Sequence, residues 1–269
     1  MGNRSLSMNR NKERDENGLV EEPGGKVRLF VEAALAFGAK VALNDAQAHY
    51  VIRVMRAGIG DRLLLFNGKD GEWRAEIVEA KKRGATLVCE AQTEPQTDVP
   101  DLWLVFAPIK KTPADYVAQK ATELGVRALQ PVLTHRTIAR RVNTDRLRAN
   151  AIEAAEQSGR VTVPEIREPV ALEALLRSWP KERRIIFCDE GGDAVPIADA
   201  LTSQKSGGAS WAVLTGPEGG FAPDERGLLR SSAFVLPVTL GPRIMRADTA
   251  SLAALALVQA LVGDWRRSL

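Results

Sequence analysis

The chain is 269 residues long, enough for one large domain or two ordinary ones with ample core. An apolar fraction of 45% and a charged fraction of 26% are those of a globular protein, and a net charge of +3 is too small to identify a nucleic-acid partner by itself. Two histidines, His49 and His135, and two distant cysteines, Cys89 and Cys188, form no ligand cluster, so zinc is excluded as an organising feature and no metal is expected.

In chain order, residues 1–25 (MGNRSLSMNRNKERDENGLVEEPGG) are polar and of mixed charge, which predicts a disordered tail without a targeting pattern. Residues 26–93 carry the short apolar runs VALND, LLLF, WRAEIV and ATLVCEA, with turn signals at Asn67-Gly68 and Asp70-Gly71, and predict a small all-β unit. The polar EPQTDVPD of 94–101 predicts a linker. From 102 to 269 strands alternate with helices. LWLVFAP is a buried strand, and Thr112-Pro113 opens a helix that ends at Gly125. ALQPVL follows as a strand, and Asn143 to Ser158 as a helix closed by Gly159. RRIIFCD, WAVLTG and AFVLPVTLG are further strands, while VPIADALTSQ, APDERGLLRSS and DTASLAALALVQALVGDW are helices. This alternation implies a mostly parallel sheet covered on both faces, an α/β domain that binds ligands at the carboxyl ends of its strands. Both cysteines lie in apolar runs with no secretion signal before them, the expectation for buried free thiols in a cytoplasmic protein. ALALVQALV at 254–262 is broken by Gln259 and is too short for a membrane span.

Two loops after strands draw notice. LTGPEGG at 214–220 crowds glycine and proline around Glu218, so its bared backbone either presses on a ligand or makes a tight turn. It matches neither a Walker loop nor a dinucleotide fingerprint, and Glu218 would repel phosphate; a neutral or cationic ligand fits better. LGPRIMRADTAS at 240–251 turns at Gly241-Pro242, places Arg243 and Arg246 in the loop, and opens the last helix at Asp248-Thr249. Taken alone, the first loop reads as a tight turn and the second as a capped helix with solvated arginines. From Arg127 to Arg148 there are six arginines against one acid, Asp145, either a solvated face or a set of phosphate contacts.

The two loops in this order, with QKATELGV at 119–126, IEAAEQSGRVTVPEI at 152–166 and HYVIRVMRAGIGDRLLLFNG at 49–68, resemble the SPOUT methyltransferases, and more narrowly the RsmE family. The resemblance covers about residues 27–265. It implies an α/β trefoil-knot domain over 102–269 behind a PUA-like RNA-binding β-barrel over 26–93. It also implies a homodimer that uses S-adenosyl-L-methionine to methylate N3 of a uridine in 16S ribosomal RNA of the small subunit. The cofactor contacts so implied are Leu214, Thr215, Gly216, Pro217, Glu218, Gly219 and Gly220 in the first loop. Leu236, Leu240, Gly241, Ile244, Met245, Thr249 and Ala250 complete them. Arg246 and Arg136 are the expected catalytic cations, and Arg53, Arg56, Lys110, Lys111, Arg136, Arg140, Arg141 and Arg160 the expected RNA contacts. Arg246 reads alternatively as an ion-pair partner of Asp248 or Glu218. The last loop departs from the family's usual ILRTETA by carrying Met245 for Leu, Ala247 for Thr and Asp248 for Glu, the one feature that favours a non-catalytic RNA-binding factor; an enzyme for another RNA position is a separate alternative.

Overall fold

The structure is a computed structural model that describes residues 15–16, 18–22, 25–81, 84–109, 114–139, 141–191, 193–203 and 210–266. The chain divides into two compact units, Met1–Thr97 and Asp98–Leu269. Among the described residues no helix is long and apolar enough to cross a membrane.

The first unit is built on strands. β1 (Glu21–Glu22) pairs antiparallel with β2 (Gly25–Lys26). β3 (Arg28–Phe30), β4 (Lys40–Ala42), β5 (Arg62–Phe66), β6 (Glu72–Lys81) and β7 (Gly84–Glu94) form a sheet in the order β3-β5-β6-β7-β4. Val41, Val51, Leu63, Leu65, Ile77 and Leu87 fill its core, each fully buried. The turn signals act as their chemistry requires. Asn67 Oδ1 accepts from the amides of Lys69 and Asp70, while Gly68 and Gly71 take φ of 78° and 76°. A short helix α1 (Asp45–His49) carries a capping box between Asn44 and Gln47, then widens into a π-helical turn, Tyr50–Val54.

The expected tail is shorter than 1–25. Residues 1–14 lie outside the described residues, but Leu19 and Val20 are 3% and 1% exposed and already belong to this unit. The Val20 amide donates to the Arg62 carbonyl at 3.0 Å, and Asp15 Oδ1 accepts from Leu19 N–H at 3.0 Å. Two apolar side chains burying themselves outweigh the polar residues around them. The expected linker is likewise engaged at both ends: Glu94 closes β7, and the Asp101 carboxylate accepts from Arg183 Nη2 and Ser210 Oγ, both at 2.7 Å.

The second unit is a parallel sheet. Its strands are β8 (Leu102–Phe106), β9 (Ala128–Leu133), β10 (Glu165–Ile166), β11 (Val170–Ala171), β12 (Arg183–Cys188), β13 (Val195–Pro196), β14 (Ser210–Thr215) and β15 (Val235–Thr239). The order is β10-β9-β8-β14-β12-β15-β13, with β11 also on β9. Alternate residues feed two cores, as the pleat dictates. Leu104, Phe106, Ile186 and Val213 meet α2 (Ala114–Glu123), α3 (Thr144–Ser158), α5 (Ile197–Thr202) and α7 (Ala247–Leu261) on one face. Val105, Ile185, Phe187, Ala212 and Leu214 meet α4 (Leu172–Arg177) and α6 (Pro223–Ser231) on the other. The chain ends, as described, in a 3-10 turn at Asp264–Arg266. The expected cap at Thr112-Pro113 lies outside the described residues. Cys89 is buried as expected, but Cys188, at the end of β12, is only half-buried.

Candidate functional site

Because β14, β12 and β15 are parallel neighbours, their carboxyl ends open on one edge of the sheet. Leu214 is level with Phe187 and Cys188 with Val238, so the segments after the three strands lie side by side. The two glycine-proline loops therefore leave the sheet two strand spacings apart, about 10 Å, with the segment after β12 between them.

The loop after β14 is held by its own packing. The Gly220 amide donates to the Pro217 carbonyl at 2.9 Å, and Gly220 takes a φ of 66°. A Cβ on Gly220 would run into Glu190 Oε1, and one on Gly216 would lie 2.7 Å from the Phe221 ring. That ring meets Phe187 edge-on, with centroids 5.1 Å apart. Gly220 is favoured by its positive φ and Gly216 by the Phe221 ring packed against it, so both glycines have a reason within the fold. Pro217 is buried, while Glu218 and Gly219 are exposed at the tip. Thr215 is 2% exposed and pairs with Ser251 Oγ at 2.8 Å; Ser251 Oγ also donates to the Ala247 carbonyl, tying the end of β14 to the first turn of α7.

The loop after β15 is more open. Gly241 takes a φ of 115°, Ile244 is 86% exposed, and Leu240 and Met245 are half-buried. Leu236 lies within β15, half-buried against the core and level with Ile186. The expected opening of the last helix at Asp248-Thr249 shifts: Arg246 is the N-cap of α7, without a side-chain cap, and Ala247 begins the helix. Alanine suits the first turn, and Asp248 there answers the positive end of the helix dipole. Asp248 Oδ1 accepts from the Thr249 amide, and the Ala250 amide donates to the Arg246 carbonyl, so both expected contacts have their amides engaged locally.

Arg136 reaches the first loop. Its Nη1 donates to the Gly219 carbonyl at 2.8 Å, and its stem lies 3.7 Å from where a Gly219 Cβ would be. Arg246 stands exposed at the foot of the second loop. Arg53 and Arg56 are exposed on and just after the π-helical turn of the first unit, and Arg141 is exposed before α3. Lys110, Lys111 and Arg140 lie outside the described residues. Arg160 is a correction. Its guanidinium donates to the Thr122 and Val126 carbonyls at 2.7 and 3.1 Å and to Thr162 Oγ1, and burial pulls its pKa down to about 10. A cation engaged by carbonyls after an αL helix end is a structural lock, not a phosphate contact.

Several residues here carry no sequence signal. Asp189, with a 2% exposed side chain, accepts from Arg226 Nε and Arg230 Nε at 2.8 and 2.7 Å, and Asp193 joins the same two arginines. A hydrogen bond from Arg230 holds the Asp193 carboxyl below its ordinary range. This network fixes α6 to the end of β12. Glu225, 3% exposed, accepts from the His135 amide at 2.8 Å and the Ala222 amide at 3.0 Å. Only the APDE string, which sets a carboxylate three residues after a helix start, could have pointed to it.

A family model described as an RNA methyltransferase domain matches residues 95–259, and one described as an RNA methyltransferase PUA domain matches residues 43–89. A ribosomal RNA small subunit methyltransferase E from Rickettsia conorii is 32% identical over 87% of this chain and 95% of its own length. The crystal structure of a ribosomal RNA small subunit methyltransferase E from Neisseria gonorrhoeae bound to S-adenosyl methionine is 30% identical, with a TM-score of 0.78, covering 89% of this chain and 99% of that one. A putative methyltransferase from Legionella pneumophila, in complex with the bound cofactor, is 29% identical with a TM-score of 0.79, covering 88% and 98% of the two chains.

Proposed function

The chain belongs to the ribosomal RNA small subunit methyltransferase E family, and from that premise we propose that it moves a methyl group from S-adenosylmethionine to N3 of a uridine in 16S ribosomal RNA. It does so in the cytoplasm as a homodimer, with the segments after β14 and β15 forming part of a trefoil knot. The observation that carries this reading is the pair of glycine-proline loops flanking the end of β12 at one edge of the sheet.

The residues at that edge fit the cofactor. Ile244, Met245 and Leu240 offer apolar surface to an adenine ring, and Glu190 and Glu218 offer carboxylates to a cation. Leu214, Gly216, Gly219 and Gly241 present backbone. S-Adenosylmethionine supplies an electrophilic methyl carbon on a sulfonium centre. The chain's task is to orient the uridine and to favour loss of its weakly acidic N3 proton. Arg246 and Arg136 hold negative charge as it grows on the uracil oxygens, in the manner of an oxyanion clamp. Holding nucleophile and methyl carbon in line contributes the larger part of many such accelerations. Arg53, Arg56 and Arg141 supply phosphate contacts that position the RNA.

The test is nucleoside mapping after incubation with unmodified small subunits and the cofactor; N3-methyluridine at a single position is expected. Another methylated nucleoside overturns the uridine-N3 assignment alone, and failure to bind the cofactor in a calorimeter leaves only an RNA-binding factor. In the same assay Arg246→Ala binds cofactor within about two-fold of the parent and turns over roughly a hundred-fold more slowly, the loss expected for one oxyanion donor. A parental rate removes Arg246 from the mechanism.

A further inference from the structure

The segment that follows β9 and the loop that follows β14 belong to different parts of the sequence, yet one buried carboxylate joins them. Glu225 is third in α6, and at 3% exposure its two oxygens accept from two loops: Oε1 from the His135 amide at 2.8 Å and Oε2 from the Ala222 amide at 3.0 Å. Three other contacts run alongside. Arg136 Nη1 donates to the Gly219 carbonyl at 2.8 Å, His135 Nδ1 lies 3.4 Å from Asp224 Oδ2, and Thr137 Oγ1 accepts from the Thr134 amide at 2.9 Å, closing the 134–137 turn on itself. A helix cap needs only the Ala222 bond. A buried carboxylate whose second oxygen serves a segment 90 residues away is placed for more than capping.

We propose that Glu225 is a positioning residue that couples the cofactor loop to the arginine-bearing 134–139 segment, so that cofactor occupancy tightens the grip on RNA. The proposal rests on the methyltransferase reading above. The coupling has a physical route: a ligand seated against residues 216–222 restricts that loop, the loop holds Ala222 and Glu225 in place, and Glu225 holds the His135 amide and with it Arg136. Linkage makes the effect reciprocal, so bound RNA tightens the cofactor by the same factor.

Hydrogen exchange on the intact protein tests it, with S-adenosylhomocysteine as the probe. In the parent the probe slows exchange in a 214–222 peptide and also in a 134–139 peptide, the second by roughly five-fold or more, the lower end of ordinary couplings. Glu225→Gln keeps the response at 214–222 and weakens it at 134–139, because an amide accepts from one of the two N–H groups and turns a donor toward the other, leaving the Arg136–Gly219 bond as the remaining direct tie. Ala222→Pro cuts the same tie from its other end, since the φ of −67° suits proline and the donated N–H is lost. It carries the test if Glu225→Gln does not fold. The ratio of affinities for a small-subunit RNA with and without the probe, about five-fold or more in the parent, falls in parallel. A merely structural carboxylate would lower the melting temperature and leave that ratio as it was. The inference is overturned if the 134–139 peptide ignores the probe in the parent, or if either variant keeps the parental response. If the parent shows no response at 214–222 and no binding heat, the methyltransferase reading itself falls.

Discussion

Arg56 holds a φ of 55°, the one non-glycine residue with positive φ among the described residues. A side chain in the left-handed region costs about 1–2 kcal/mol, more if it branches at Cβ. It follows a π-helical turn in which the Met55 amide reaches back to the Tyr50 carbonyl at 2.9 Å, so two unusual backbone features meet at one exposed arginine pair. Such conformations gather where a side chain must be aimed. Arg56→Gly is expected to leave the melting temperature unchanged or slightly raised, and Arg56→Val to lower stability by about 1–2 kcal/mol in urea unfolding. Equal losses from both would show that the arginine side chain, not its backbone, stabilises this turn. Arg56 was legible as a charge in HYVIRVMR, but its strain was not, because positive φ leaves a sequence signal only when glycine or asparagine supplies it. Arg160 and Glu225 show the same limit. Each also bonds backbone far along the chain, Arg160 the Thr122 and Val126 carbonyls and Glu225 the His135 amide, and nothing local records those partners.

At the scale of elements, legibility follows length. The helix over Thr144–Ser158 was marked at both ends, by Asn143, which accepts from the Arg146 amide, and by Gly159 at a φ of 82°. The strands of five or six residues in the second unit were equally plain, because two-sided burial makes them continuous apolar runs. What escaped was short. The helix Leu172–Arg177 has six residues, too few for a period to show, and the segment Tyr50–Val54 reads as ordinary helix. VPIADALTSQ splits into an edge pair, Val195–Pro196, and a helix starting at Ile197, since proline cannot donate to a ladder but tolerates an edge. Gly159 offers a clean test. A Cβ added there meets nothing within 4 Å, so Gly159→Ala isolates the backbone term. It should destabilise the protein by about 1 kcal/mol, read as a lower urea midpoint without a change in slope. An unchanged midpoint would mean that α3 does not need its left-handed end.

Across the whole molecule, acid should act on the carboxylates that arginines hold within each unit. Asp101 opens the second unit. Burial alone would raise its carboxyl, but hydrogen bonds from Arg183 and Ser210 and the Arg183 charge outweigh it and hold the group below the ordinary carboxylate range. In the first unit a hydrogen bond from Arg62 holds Glu90 low as well. A carboxyl depressed in the folded state binds its proton more readily when unfolded. Its stabilisation is therefore complete above the unfolded value, about 3.9 for Asp and 4.3 for Glu, and is lost as pH falls through the lower folded value. Unfolding free energy from carboxylates of this kind should be flat from neutrality down to about pH 5 and fall steeply below about pH 4. Asp101→Asn separates one contribution. At pH 7 it leaves Arg183, with a 10% exposed side chain, without its anion. Asp101 itself is 31% exposed, so solvent screens the pair and the expected loss is about 1–3 kcal/mol rather than the full penalty of a buried charge. As pH falls below the unfolded value of about 3.9 toward the lower folded one, the unfolded parent takes up that proton first, and the gap between parent and variant should narrow. A gap of constant size across the titration would show that Asp101 stabilises the second unit through its shape and its Ser210 hydrogen bond, with its charge contributing nothing.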